Sequence, residues 1–187
     1  MTSNVEICNV ALARVDRQRI TNLLDGSPSA NDCSVIFQPT RQELLRGHDW
    51  NFARARQKLA RLSAAPTYEF QYAYQLPTDW LATRAVHDSE DGGVSPVYRA
   101  EGQTLLADAE DIYLTYTKDV SDAAAMPADF RSLFAYRLAE QLARTTTVRE
   151  EMHRALQKFD KRARSVDAIE DSAEALPAGS WVMERGR

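Results

Sequence analysis

The chain has 187 residues, of which 44% are hydrophobic and 27% charged, and its formal net charge is −4. This balance predicts one ordered globular domain, or a helical core with a modest insertion, and excludes a low-complexity chain. The acidic balance argues against a protein that binds nucleic acid by neutralising phosphates, and the sequence shows neither a signal peptide nor a membrane-spanning run.

The first predicted helix covers about residues 4–15. Ser3 and Glu6 form a capping box, and apolar residues then recur at helical spacing. Cys8 lies on this helix and Cys33 on the next one, so both are expected to be buried thiols and not a disulfide.

The second predicted helix begins after a turn rich in Asp, Gly and Ser. Ser27 is its expected N-cap, with Pro28 at the first helical position, and the helix should end near Arg46, before Gly47. Pro39 lies inside this helix and is expected to kink it or split it in two.

An aromatic corner and a run of cations follow. Trp50, Asn51 and Phe52 are expected to fix the exit of the chain to the helical core. Basic residues cluster at two places in the sequence: Arg54, Arg56, Lys58 and Arg61, and then Lys158, Lys161, Arg162 and Arg164. Both clusters are read as solvated helix faces, with pairing against the acids of a neighbouring copy as the alternative.

Residues 68–118 change to a two-residue period and predict a small antiparallel β region. Their short segments are rich in aromatic and β-branched residues, and turn signals separate them. A tight hairpin is expected to turn at Glu101 and Gly102. The acidic, glycine-containing loop between two of the strands is expected to be a mobile tip; it comprises Asp88, Ser89, Glu90, Asp91, Gly92 and Gly93.

Two amphipathic helices then follow, and a short TTT connection joins them. Pro127 opens the third helix, and Thr147 with Glu150 predicts a capping box at the start of the fourth. Helices joined this closely should pack as an antiparallel hairpin. The helical pattern weakens beyond Asp167.

No catalytic, cofactor or metal site is predicted. His48, His87 and His153 lie on unlike elements, and none has a Cys or carboxylate at a metal-ligand spacing. Phosphate-binding glycine loops and the nucleophile motif G-x-S-x-G are both missing from the sequence. The chain is therefore expected not to be an enzyme and to carry no cofactor and no metal.

Several segments form an ordered pattern along nearly the whole chain: ICNVAL, the helix from Ala30 to Phe37, DWNFARARQKLA, YEFQYAYQLPTDWL, IYLTYTKDV and MPADFRSLFAYRLAEQLA. This pattern resembles the head-to-tail connector (adaptor) family of tailed phages, of the siphophage type, and more distantly the tail tubular A proteins of short-tailed phages. The chain departs from the family at Asp16, where glycine is frequent, and at Pro39, where a helical residue is usual.

The resemblance implies a mainly α fold with a β insertion. An antiparallel four-helix bundle core is expected from residues 1–67 and 119–168, with the β insertion at 68–118 and a C-terminal docking arm at 169–187. The implied function is structural: a ring of roughly twelve copies that joins the portal to the tail and lines the DNA exit channel.

The expected partners are other copies of the chain, the portal protein and the next tail or head-completion protein. DNA should pass without specific binding, and no membrane is involved. The expected location is the head–tail junction of the virion, after assembly in the host cytoplasm. The alternatives are a soluble helical binding or regulatory module and, less favoured, a small enzyme with an undetected site.

Three sets of residues are assigned to these contacts. The arm that docks on the portal contains Leu176, Pro177, Trp181, Val182 and Met183, which have no periodic partner face. The loop from Asp88 to Gly93 should face the tail. The channel lining is assigned to acids at three- and four-residue spacing, namely Asp167, Glu170, Asp171 and Glu174, with a solvated helix end as the alternative.

Overall fold

A computed structural model describes residues 3–171. Its helices are α1 (Asn4–Arg14), α2 (Pro28–Arg46), α3 (Ala128–Leu142) and α4 (Thr146–Asp171). Its strands are β1 (Arg54–Lys58), β2 (Ala60–Arg61), β3 (Tyr72–Gln75), β4 (Trp80–His87), β5 (Tyr98–Glu101), β6 (Thr104–Ala107) and β7 (Tyr113–Lys118). Short 3-10 turns lie at Asn51–Ala53 and Ala123–Ala125.

The expected four-helix bundle core is wrong. The chain instead combines four helices with two antiparallel sheets of three and four strands. Helix α3 packs against α1, α2 and α4, whereas α4 makes no comparable contact with α1 or α2 among the described residues. A bundle needs each helix to share a common core with two neighbours, and here α3 alone is the hub.

The sheets begin earlier in the chain than predicted, because residues 54–61 form strands β1 and β2. In this segment Ala55, Gln57 and Leu59 alternate with cationic residues, which is the period of a strand with one face buried. Leu59 is buried, and its N–H donates to the carbonyl of Ile112 over 2.8 Å. The cations obscured this signal because Arg, Ala, Gln and Lys are also good helix formers.

The two sheets enclose a second core. Strand β7 lies between β1 and β4, and the second sheet has the order β2–β3–β6–β5. Because β1 and β2 are consecutive, separated only by Leu59, the two sheets are joined into one β layer at this residue. Its inner face buries mainly apolar side chains: Leu59, Tyr74, Leu76, Val86, Leu105, Ala107, Ile112, Leu114 and Tyr116. The larger core belongs to the helices and the aromatic corner.

Most helix ends follow the predicted capping. Ser3 and Ser27 cap α1 and α2, and their hydroxyls accept the N–H groups of Glu6 over 3.3 Å and Ala30 over 3.2 Å. Pro39 was predicted to kink or split α2; the helix continues through this exposed residue, so it is not split there. The predicted cap at Thr147 is displaced, since Thr145 accepts the N–H of Val148 over 3.4 Å.

Asp16 adopts the backbone conformation that favours glycine. Its φ is +54°, and it follows the end of α1, where the N–H of Arg17 donates to the carbonyl of Leu12 over 3.0 Å. An Asp tolerates this left-handed region better than most residues. Asp16 therefore makes the turn that a glycine at this position would make.

Helices α3 and α4 form the predicted antiparallel hairpin. The rings of Tyr136 and Phe159 stack with centroids 4.5 Å apart, and His153 lies 2.7 Å from Glu140, nearer the connection. Pairs of contacting residues are therefore further apart in sequence when they lie further from the connection, as expected for antiparallel helices. The predicted hairpin at β5 and β6 also forms, although its loop is Gly102 and Gln103 and not Glu101 and Gly102.

Candidate protein-interaction surfaces

The aromatic corner joins the helices to the β region. Trp50 is buried, and its indole N–H donates to the carbonyl of Leu44 over 2.9 Å. The ring of Phe130 lies edge-on to both Trp50 and Phe52, at centroid distances of 5.1 Å and 4.9 Å. The predicted hydrophobic corner is therefore confirmed, with Phe130 of α3 as its partner.

Asp167 fastens the end of α4 to this corner. Its carboxylate accepts the backbone N–H of Asn51 over 2.9 Å and lies 3.0 Å from Nε2 of His48. The Asp167 side chain is only 12% exposed. Of the four residues assigned to the channel, Asp167 thus contacts its own chain and Glu170 is exposed. The side chain of Asp171 and the whole of Glu174 lie outside the described residues.

A second set of polar contacts links α2 to the end of β7. The guanidinium of Arg41 is buried and forms a two-pronged pair with Asp119, at 2.8 Å and 2.9 Å from the two carboxylate oxygens. The N–H of Asp119 donates to the carbonyl of Asp79 over 2.7 Å, and the carboxylate of Asp79 accepts the hydroxyl of Tyr116 over 3.1 Å. Burial and this hydrogen bond raise the pKa of Tyr116 to about 12.

One face of the first sheet carries the first group of cations. Arg54, Arg56 and Lys58 of β1 are paired in register with Thr117, Thr115 and Tyr113 of β7, so their side chains share one face. Together with Arg84 and His87 of β4 and the loop Ser89–Gly92, this face lines an open cleft of about 820 Å³. This basic cluster thus lies on a strand, and its assignment to a helix face was wrong.

Most cations of this cleft already have partners within the chain. Arg54 lies 2.9 Å from Asp49, and Arg84 donates to the hydroxyl of Thr117 over 2.7 Å. Lys58 lies 2.7 Å from Asp111, and this hydrogen bond raises the pKa of Lys58. Arg56 is exposed and forms no ion pair within residues 3–171. Arg56 is therefore the cation of this cleft with most capacity for a partner molecule.

The second basic cluster lies on α4, as expected. Arg164 pairs with Asp160 over 2.8 Å, and Arg162 lies 3.7 Å from Asp129 of α3. Lys158 and Lys161 are exposed and have no ion pair in the described part of the chain. The outer face of α4 thus presents cations whose charge is not compensated locally.

The loop Asp88–Gly93 lies at the mouth of the cleft. All of its residues except the half-buried Ser89 are exposed. The N–H of Gly93 donates to the Ser89 hydroxyl over 2.9 Å, and the N–H of Asp88 donates to the carbonyl of Val94 over 3.3 Å. Gly92 has a φ of +77°, which a side chain would strain. The exposed loop therefore contains a turn with its own hydrogen bonds, and its predicted mobility stays a prediction.

Four large apolar or aromatic side chains of the β region, outside this loop, are exposed. Val94, Val97, Tyr68 and Tyr98 are 73%, 79%, 75% and 38% exposed. Glu69, the residue after Tyr68, forms an ion pair of 2.7 Å with Arg99 of β5. The sequence reading missed this group because VSPVY resembles an ordinary loop entering a strand. Three of these residues lie between positions 94 and 98, and such a group of exposed apolar side chains is typical of an interaction surface.

Cys8 and Cys33 are free and buried, as expected, and a hydrogen bond with Cys33 together with burial raises the pKa of Cys8. Residues 3–171 contain no cluster of three or more His, Cys, Asp or Glu side chains suited to a metal ion. The portal-docking residues Leu176, Pro177, Trp181, Val182 and Met183 lie outside the described residues.

None of the described helices has the length and apolar character needed to span a membrane. No protein-family model matches the chain, and no curated protein matches it.

Proposed function

We propose that this chain is a structural head-to-tail adaptor of a tailed phage or phage-like particle. Its copies would form a ring that joins the portal to the tail and surrounds the exit channel for DNA. The proposal rests first on the ordered motifs along nearly the whole chain. The function is assembly, and no chemical step is assigned to any residue.

The observation that carries the proposal is that these motifs meet in space. Trp50 and Phe52 of DWNFA contact Phe130 of MPADF, which lies about 80 positions further along the chain. Asp79 of LPTD accepts the N–H of Asp119 of TKD over 2.7 Å. The segments that carry the resemblance are thus the segments that join the helices to the β region. A shared architecture explains why these residues recur in this order.

Ring closure needs two different, complementary surfaces on each copy, because the contact between neighbours is heterologous. The exposed cations of α4 around Lys158 and Lys161 supply one surface of a single sign. Acids of the β region, such as Glu110 and Asp108, are exposed and supply the opposite sign. Pairing of these surfaces between copies would remove the cations from the channel, where they would hold DNA phosphates.

Two further contacts complete the proposal. The portal would bind the C-terminal arm, whose apolar residues centre on Trp181, and the next tail component would bind the β region at Asp88–Gly93. An acidic or neutral channel wall would let the genome slide, since like charges repel the phosphates. Glu170 at the end of α4 is exposed and is the described member of the assigned wall that is available for this role.

Deletion and complementation in the encoding particle test this function. Without the chain, filled heads and unattached tails should accumulate separately, and the full chain should restore joined particles. A chain that ends at Asp171 should fold, because the Asp167 contacts remain, yet should fail to join heads. Normal joining by particles that lack the chain would rule out the adaptor function.

A soluble binding module is the second candidate, and the open cleft at Arg56 favours it. Such a module would bind its partner as a monomer, without forming rings. Its loss would leave joined particles unchanged, so the same deletion separates the two functions.

A further inference from the structure

Strand β5 is an uncovered edge of the second sheet. It pairs with β6 on one side only, and all four of its residues are exposed. Strand β4, one of the two terminal strands of the first sheet, is different, because α2 packs against it and Arg84 of β4 donates to the carbonyl of His48 over 2.7 Å. An uncovered edge strand is a template for pairing with another chain.

The register of the hairpin identifies the free hydrogen-bonding groups. Glu101 and Thr104 flank the two-residue loop, and such flanking residues exchange hydrogen bonds with each other. Bonded and non-bonded pairs then alternate, so the N–H groups of Ala100 and Tyr98 point away from β6. A strand added to this edge would bond to these two residues.

The side chains of β5 are also exposed to solvent. Tyr98 and Ala100 lie on the inner face, in register with the buried Ala107 and Leu105 of β6. The second core therefore ends at β5 with part of its apolar surface open to water. Val97, directly before the strand, is 79% exposed. Burial of these groups would favour an added strand.

The charges of β5 identify which strand could pair with its free edge. Arg99 and Glu101 lie on the outer face, two residues apart. Arg99 pairs with Glu69, whereas Glu101 forms no ion pair within residues 3–171. When the segment is placed antiparallel to a second copy of itself about Ala100, each Arg99 lies opposite Glu101 of the other copy. Opposite charges at facing positions stabilise a strand pair.

We propose that two copies of this chain pair through β5, antiparallel, about a two-fold axis at Ala100. The Ala100 residues of the two copies exchange their backbone hydrogen bonds. Arg99 and Glu101 then form two symmetric ion pairs at non-bonded positions, where facing side chains are closest. Tyr98 lies opposite Gly102 of the other copy, and the absence of a side chain there leaves room for the ring.

This contact is separate from the adaptor function. A two-fold contact relates copies that point in opposite directions, so it cannot join neighbours in a ring whose copies all face the same way. It therefore belongs to the unassembled protein, where it covers an edge that would otherwise aggregate. Because a four-residue edge buries less than a standard interface of about 1,600 Å², the dimer should be weak.

Sedimentation equilibrium of the full chain, from low micromolar concentration to about 1 mM, measures this association. The wild-type chain should fit a monomer–dimer equilibrium. The variant A100P removes the outward N–H but none of the bonds to β6, so it should lose the dimer. The matched control A100S keeps the N–H and should associate as the wild type does. Thermal unfolding checks that each variant is folded.

Charge variants test the same β5 contact without the A100P substitution. In an E69Q background, which removes the internal partner of Arg99, E101R should weaken the dimer by roughly ten-fold, because like charges then face each other. R99E combined with E101R restores opposite charges at both positions and should recover the affinity of E69Q alone. Glu101 and Arg99 are exposed, so these changes should leave folding intact.

The other outcomes overturn the proposal. A wild-type chain that stays monomeric at about 1 mM does not pair through β5. A dimer that survives both A100P and E101R uses another surface. If A100P blocks tail joining while self-association is unchanged, the occupant of this edge is a strand of the tail component and not a second copy. None of these results bears on whether portal rings form, which is measured separately.

Discussion

The helical part and the β region of this chain differ in how completely they bury their side chains. The helices bury a continuous core around α3, and almost every large side chain on their inner faces is covered. The β region has a smaller core, and it ends in a charged cleft, an exposed loop and an uncovered strand. The comparison suggests that the helices supply most of the stability, whereas the β region supplies contact surfaces.

The largest expected difference is between matched leucines of the two cores. Leu138 of α3 and Leu114 of β7 are 0% and 1% exposed. Leu138→Ala should cost about 3–5 kcal/mol, whereas Leu114→Ala should cost about 2–3 kcal/mol, because the smaller core can collapse around the lost volume. Urea unfolding measures both values, and the exposed Val35→Ala should change the free energy of unfolding by less than about 0.5 kcal/mol.

Hydrogen exchange then shows whether the two cores are separate. Leu114→Ala should release the amides of the β region before those of the helices. If both leucine variants lower protection equally over residues 3–171, the chain unfolds as one unit and the division into two parts is wrong.

A smaller effect is expected at the junction between the two parts. Asp167→Ala removes the acceptor of the Asn51 N–H and the partner of His48. The loss should cost about 1–2 kcal/mol, because a half-buried donor is left unpaired. Glu170→Ala, one turn further along α4, is the control and should change little. Equal effects of the two substitutions, measured by urea unfolding, would show that the junction does not hold the end of α4.

Shortening the loop between β4 and β5 tests which part contacts the tail. Replacement of Asp88–Gly93 by a two-residue turn should leave folding and ring formation unchanged and reduce tail joining, since every residue removed is exposed except the half-buried Ser89. Counting joined particles after complementation measures the effect. The assignment would be wrong if the shortened chain forms no rings while tails still attach to the few complete particles. The loop would then contact neighbouring copies and not the tail.

The smallest expected effect is a pH dependence in the loop before α2. Asp25 accepts the N–H of Ser27 over 2.9 Å, and hydrogen bonds from Ser27 lower the pKa of this carboxyl from 3.8 to about 2. A lowered pKa in the folded state stabilises the fold above the unfolded value, and this contribution is lost as the pH falls towards 2. The Tm difference between wild type and Asp25→Asn should therefore shrink over this range. A constant difference would show that the carboxylate does not stabilise the loop.

Local signals predicted the helices well and the β region only in part. Ser3 and Ser27 cap α1 and α2 as their spacing indicated, because a cap depends on three or four consecutive residues. Strand β1 was missed, since its cations resemble a helix face and its partner β7 lies about 60 positions away in the chain. The four-helix bundle was wrong for a different reason: all four helices form, but which helices contact one another depends on tertiary packing.

The candidate surfaces were still harder to predict from the sequence. Asp167 looked like one member of an exposed acidic stripe, but it contacts Asn51, which is 116 positions away. Nothing in the local pattern of α4 indicates that partner. The exposed edge of β5 likewise depends on the strand order, which only the tertiary structure fixes.

Electron microscopy of the purified chain mixed with its portal tests the central claim most directly. The adaptor function predicts a closed ring of the chain on one face of the portal, with the β region away from the portal. Glu170 at the end of α4 should face the channel, and Lys158 and Lys161 should lie between neighbours or on the outside. Portals that stay bare at saturating concentrations of the chain would contradict the adaptor function, and a ring whose channel is lined by these lysines would contradict the proposed wall.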